Sequence, residues 1–136
     1  MAEIFDLVPK NKFDTSGIET LRGLDDEEIA PVLPYLLEWI QDMNWPVAAE
    51  VIPVLAMHSA ALLPHVRRVL SRDETDGMWK YWVVTALLPR FPNADIAALA
   101  DVLERIADEP TADEAEAEAD IAAGELLNER IRKTSN

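Results

Sequence analysis

The sequence predicts an all-α protein, and three observations carry that prediction. Apolar residues recur at helical spacing from Asp14 onward, the breaks fall at capping residues or prolines, and no stretch alternates as a strand does. A first helix over residues 16–23 opens on Ser16 and Glu19 at capping-box spacing and stops at Gly23, turning Leu21 and Leu24 inward. The second starts in Asp25, Asp26, Glu27 and Glu28, which suit the positive end of a helix dipole, and runs to about Gln41. Its stripe is Ile29, Val32, Leu33, Leu36 and Ile40, and Pro34 within it bends the helix or restarts it after a first turn. Asn44 as N-cap and Pro46 in the first turn open a third helix over 46–57, with Val47, Val51, Val54 and Leu55 on one face and a bend at Pro53.

A fourth helix, about 60–71, carries Leu62, Val66, Val69 and Leu70 and ends in a polar turn reaching Gly77. The fifth, about 78–89, is apolar nearly all round, with Trp79, Trp82, Val83, Ala86 and Leu87 on one face and Tyr81, Val84 and Leu88 on another. That pattern marks it as the centre of the core. Asn93 caps a sixth helix, about 94–108, with Ile96, Leu99, Leu103 and Ile106 inside. Thr111 and Glu114 form a capping box at the start of the last, whose inner stripe is Ala115, Ala119, Ala122, Ala123 and Leu126. Like charges at i,i+4 and a thin stripe make residues 111–136 an acidic cap, the least stable unit, with residues 133–136 frayed. About seven helices result.

The segments also overlay. Leu33-Pro34-Tyr35-Leu36-Leu37 falls on Leu63-Pro64-His65-Val66-Arg67 and then on Leu99-Ala100-Asp101-Val102-Leu103, at offsets of 30 and 36 residues, and Trp45-Pro46-Val47-Ala48 falls on Trp79-Lys80-Tyr81-Trp82 at 34. Periods in the thirties built from helix–turn–helix units point to a HEAT-like α-solenoid of about three hairpins in a right-handed stack, each burying its face against the next. An irregular helical bundle is the competing reading, and it too is all-α.

With 136 residues and 15.2 kDa the chain has material for one domain, here 1–136, in which Ile4, Phe5, Leu7 and Val8 pin residues 1–13 to the body. Hydrophobic residues make up 49% and mean hydropathy is -0.04, which argues against both a disordered chain and a membrane protein. Twelve Lys and Arg against 26 Asp and Glu give a net charge of -14, a field that repels phosphate backbones and anionic lipid. Nucleic acid and membranes are therefore not expected partners. No cysteine is present, which excludes disulfides, a thiol nucleophile and thiolate metal sites. The start MAEIFDLVPK lacks the basic end and apolar run of a signal peptide, so cytoplasmic residence is expected.

The run from Glu38 to Ala48 (EWIQDMNWPVA), with Val8-Pro9-Lys10-Asn11-Lys12-Phe13-Asp14 upstream and Trp79-Lys80-Tyr81-Trp82 later, resembles a small bacterial family known only as a domain of unknown function with a HEAT-like fold. The resemblance covers nearly the whole chain to about residue 110. It departs at Phe13, where the family shows a more polar residue, and in the acidic tail. It implies a fold and no reaction, and it carries over no catalytic role.

Candidate site residues follow from the tryptophans. Stacked hairpins would bring Trp45 and Trp79 together on one edge, with Trp39 beside them and Asp42, Asn44 and Lys80 as a polar rim, shaping a groove for a peptide or small ligand. Lys10 and Lys12, beside Asp14, would close one end and contact an anionic group. Against this stand core packing of the tryptophans, a solvated linker at the lysines, and a buried ion pair of Lys80 with Asp42 or Glu38. Stability separates core from site: truncating Trp79 or Trp82 to Ala costs ~3–5 kcal/mol if they are buried, Lys80→Ala costs little, and a nearly neutral Trp45→Ala favours the groove. His58 and His65 lack metal-ligand spacing and read as packed histidines, the glycines form no phosphate-cradling loop, and paired acids such as Glu114 and Glu118 read as solvated charge. No metal or cofactor is expected. The leading expectation is a non-enzymatic acidic module whose groove or acidic face binds a protein partner, a basic one being the partner its charge favours, in one specific form an inhibitor or immunity-type protein. The alternative is a small-ligand-binding protein or enzyme using the tryptophan groove.

Overall fold

The computed structural model describes residues 3–132, so the tail at 133–136 lies outside the described residues. Among the described residues every regular element is helical. The chain first makes a 3-10 turn, Ile4–Leu7, and then α1, Ile18–Arg22. The capping box expected at Ser16 is absent, because the Ser16 hydroxyl donates to Asp14 Oδ1 at 2.6 Å and Gly17 takes the cap position without a side-chain bond. Instead the box forms at α2, Asp26–Ile29, where Asp25 accepts from the Glu28 N–H and Glu28 reaches back to the Asp25 N–H.

The predicted restart at Pro34 is present. A 3-10 turn, Ala30–Val32, carries Pro31, and α3, Leu33–Glu38, begins with Pro34 in its first turn, where a missing N–H costs nothing. Pro46 likewise opens α4, Pro46–Ala56, although the cap is Trp45; Asn44 is spent in a turn, its N–H on Asp42 Oδ1 at 2.8 Å. Pro53 lies inside α4. Next come α5, Ser59–Val69, and α6, Gly77–Trp82, the latter capped by Asp76 accepting from the Trp79 N–H at 3.0 Å. α6 widens into a π-helical turn, Val83–Leu87, and tightens into a 3-10 turn, Leu88–Arg90.

The expected sixth helix divides at Leu99 into α7, Asn93–Ala98, and α8, Ala100–Asp108. Asn93 is not its cap; Pro92 holds that place and Asn93 Oδ1 accepts from Arg130 Nε at 2.6 Å. The last helix also divides, into α9, Ala112–Glu116, and α10, Ala119–Leu127, followed by a π-helical turn, Asn128–Arg132. The break is Glu118 at φ 62°, a left-handed conformation that ends α9 before the like charges at 114 and 118 can share a helix.

Packing follows this order. α3 lies against α4 and α5, α5 against α7, α4 against Val83–Leu87, and α10 against α8, α6 and Val83–Leu87. One apolar cluster threads them, from Ile18 and Leu21 in α1 through Val51 and Leu55 in α4 and Leu62 and Val66 in α5 to Leu126 and Leu127 in α10. In the sixth-helix region Ile96, Leu99, Leu103 and Ile106 are all buried, as their spacing predicts. α10 buries Ala119, Ala122, Ala123, Leu126 and Leu127, while Ala115, expected inside, is exposed and Glu114 takes its place. The fifth segment buries Val83, Val84, Leu87 and Leu88 but leaves Trp79 and Trp82 half-buried.

Candidate functional site

The turn from α3 to α4 builds the first feature. Trp39 ends α3 and Trp45 begins α4, so the turn of residues between them folds one indole against the other, ring centroids 5.7 Å apart at 65°. Two consecutive helix ends thereby form an aromatic corner. Together with Val8, Tyr35, Glu38 and Gln41 the two rings line a hollow of about 320 Å³. Tyr35 is 49% exposed and is itself held by Phe5, 5.6 Å away edge-on. The hollow lies in the size range of small-molecule and side-chain pockets, about 300–1,000 Å³.

On the other side of Tyr35 and Glu38 lies a second hollow of about 420 Å³, lined by those two residues and by Pro34, Leu37, Arg68 and Trp79 among others. Trp79 belongs here. Its indole N–H donates to the Leu37 carbonyl at 3.2 Å, the open end of α3. Trp45 and Trp79 therefore line separate hollows divided by α3, and the partner of Trp45 is Trp39. His65 also lines the second hollow; burial, with the Arg68 charge second, pulls its imidazole pKa below the usual histidine value.

Lys80 is not a rim residue. It is fully buried, and its ammonium donates to Glu114 Oε2 at 2.6 Å and to the Ser71 carbonyl at 2.8 Å. The carboxylate it meets is neither Asp42 nor Glu38, because α6 turns this position toward α9. Glu114, also fully buried, takes Arg105 on both oxygens, at 2.5 and 2.9 Å, and accepts from the Thr111 N–H at 2.9 Å. Arg105 further donates to the Leu70 carbonyl at 2.8 Å. Two cations thus share one carboxylate and also satisfy the carbonyls of Leu70 and Ser71 just beyond α5, where positive charge is favourable. Burial pushes the Glu114 carboxyl up, but the hydrogen bonds from Arg105 and Lys80 outweigh it and hold the pKa at about 2. Neither Glu114 nor Arg105 is a candidate on sequence grounds. The signal was present in Lys80 itself, a lone cation in an apolar helix, which needs a buried carboxylate.

The remaining candidates sit on the rim of the molecule. Lys10 Nζ donates to the Asp6 carbonyl at 3.0 Å, and Lys12 Nζ lies over the Phe13 ring, 5.4 Å from its centroid. Asp14 accepts from the Ser16 hydroxyl and from the N–H groups of Ser16 and Lys10, bonds that lower its pKa. The tail reaches the hollow through Val8, not through its lysines. Asp42 and Asn44 form the turn and do not line either hollow.

His58 is buried and pairs through Nδ1 with Asp26, tying α2 to the start of α5; its Nε2 has no hydrogen-bond partner. Ser59 turns away from it and donates to Asp95 at 2.6 Å. Among the described residues no group of three or more His, Asp or Glu side chains is arranged to hold a metal ion, and no helix is long and apolar enough to cross a membrane.

No curated protein matches this sequence. Residues 7–127, nearly the whole helical array described above, match the family Domain of unknown function (DUF5071), and the chain belongs to that family.

Proposed function

We propose that the protein is a cytoplasmic, non-enzymatic interaction module: a single-domain, right-handed, HEAT-like stack of three helical hairpins that binds a basic protein partner through its acidic first half. The charge layout carries this reading. Between Phe13 and Val66 nine carboxylates face a single Lys or Arg, Arg22, and Arg22 is itself engaged by Glu19 at 3.5 Å and Glu50 at 3.3 Å. Asp25, Glu27 and Glu28 stand exposed at the start of α2, and complementary potential of this kind speeds encounter with a basic surface. The solenoid is supported by the packing order, in which the first helices α3, α5 and α7 touch in succession while α4, Val83–Leu87 and α10 do the same on the other side. The non-enzymatic reading is supported by the fate of Lys80, whose amine is committed to Glu114. An inhibitor or immunity-type role toward a basic protein is the specific form proposed, by analogy with other small acidic helical proteins.

The test is a tagged pull-down from the source organism's extract, then titration of the recovered protein against salt and against Glu27→Lys. The expected result is a stoichiometric basic partner whose affinity falls as salt rises and falls again with the charge reversal. Affinity indifferent to both overturns the reading. The alternative, a small-ligand-binding protein, draws on the tryptophan hollow and takes precedence if no protein is retained.

A further inference from the structure

The hollow at the α3–α4 turn has a composition that selects one chemistry. It is lined by three aromatic residues, Tyr35, Trp39 and Trp45, with Val8, Gln41 and a single carboxylate residue, Glu38, and none of its lining residues is basic. Aromatic faces carry partial negative charge and attract cations, most strongly at tryptophan. Trp39 and Trp45 meet at 65°, so they present two walls of a corner instead of one flat stacking surface. A corner encloses a compact ammonium head, whereas a planar guanidinium stacks best on a single ring. Val8 and the ring bodies offer apolar surface for an alkyl stem.

Among the described residues no lysine or arginine lines this hollow, and Arg68 meets Glu38 only in the neighbouring one. Lys10 and Lys12, the nearest lysines in sequence, are held by the Asp6 carbonyl and the Phe13 ring, and Arg22 is held by Glu19 and Glu50. The net charge of -14 lowers the potential over the molecule as a whole. We propose that Tyr35, Trp39 and Trp45, with the Glu38 carboxylate, form a receptor for the ammonium group of a lysine side chain presented by the basic partner. This rests on the partner reading above and adds the element by which that partner is recognised.

The experiment titrates the full chain with three probes: acetyl-Gly-Lys-Gly-amide, the same peptide with norleucine, and tetramethylammonium. The indole N–H resonances of Trp39 and Trp45, assigned through Trp→Phe variants, report binding, and thermal melts report folding. The lysine peptide should shift both indoles saturably, and the norleucine peptide should not. Glu38→Gln should weaken the lysine peptide roughly fivefold to thirtyfold, and Trp45→Phe should weaken it less than Trp45→Ala does. Equal shifts from norleucine, an unchanged titration in Glu38→Gln, or saturation by tetramethylammonium alone overturns the proposal. The two readings fail separately. A partner retained with undiminished affinity by Glu38→Gln and Trp45→Ala removes the lysine receptor and leaves the module. Lysine-peptide binding with no recoverable basic partner removes the partner reading.

Discussion

Two acidic helix starts in this molecule share one local motif and meet opposite fates. At α2 and at α9 an N-cap side chain accepts from the N3 backbone while an N3 glutamate reaches back, Asp25 with Glu28 and Thr111 with Glu114. Glu28 is exposed, and its carboxylate serves only the cap. Glu114 is fully buried and serves the cap, Lys80 and Arg105 together. The local sequence prescribes the cap in both places. What differs is the neighbour: α9 packs on α6, whose inward face carries a lysine, and a buried ammonium requires a counter-charge.

Breaking the buried member should therefore cost most. Glu114→Ala leaves Lys80 uncompensated in the interior, and Lys80→Ala empties a large buried volume, so each is expected to cost ~3–5 kcal/mol in a urea unfolding series. This reverses the small cost that the rim placement of Lys80 implies. Replacing both residues by apolar groups should cost less than the sum of the single changes, since neither charge is then stranded.

Next comes the close approach that makes the pair. Gly77 starts α6 against α9, and a Cβ there would overlap the Asp113 carbonyl oxygen, a backbone atom that cannot turn aside. Gly77→Ala should cost about 1–3 kcal/mol, again by urea unfolding. Acid gives a third probe of the same cluster. The Glu114 pKa is depressed from 4.5 to about 2 in the fold, so its contribution is complete above about pH 4.5 and is lost as pH falls towards 2. Melting temperature followed over that window should drop more in the natural protein than in Glu114→Gln, which has no proton to gain.

The exposed member should respond weakly. Asp25→Ala removes one cap acceptor and is expected to cost about 1 kcal/mol, while Asp25→Asn should be nearly neutral. Smallest of all, Gly124→Ala in α10 places a methyl at ordinary contact distance, 3.9 Å, from Ala107 and should raise stability by about 0.5–1 kcal/mol through helix propensity.

The same contrast explains how much could be read from the sequence. Helical periodicity and proline position are local properties, so the all-helical class, the restart at Pro34, the start at Pro46 and the Thr111–Glu114 box were legible. Caps that other side chains contest were not. Ser16 is captured by Asp14 and Asn93 by Arg130, and in each case the competitor decides the outcome. The breaks at Leu99 and Glu118 carry no Gly or Pro to announce them. The aromatic site was half legible: Trp39 and Trp45 stand six residues apart across a turn, and the turn joins them. Trp79 lies 34 residues beyond Trp45, and which side of α3 it would occupy depended on the Leu37 carbonyl. Likewise the partner of Lys80 lies 34 residues downstream, where only tertiary packing selects it.

That separation has a consequence for the order of events in synthesis. A nascent chain emerging from the ribosome can complete α5 and α6 while Arg105 and Glu114 are still unmade, and until they arrive the Leu70 carbonyl lacks its Arg105 donor and the Lys80 ammonium lacks its Glu114 carboxylate. The last quarter of the chain acts as a keystone, setting when the preceding helices can close, and a protein shortened ahead of it would be left with a charge it cannot hide.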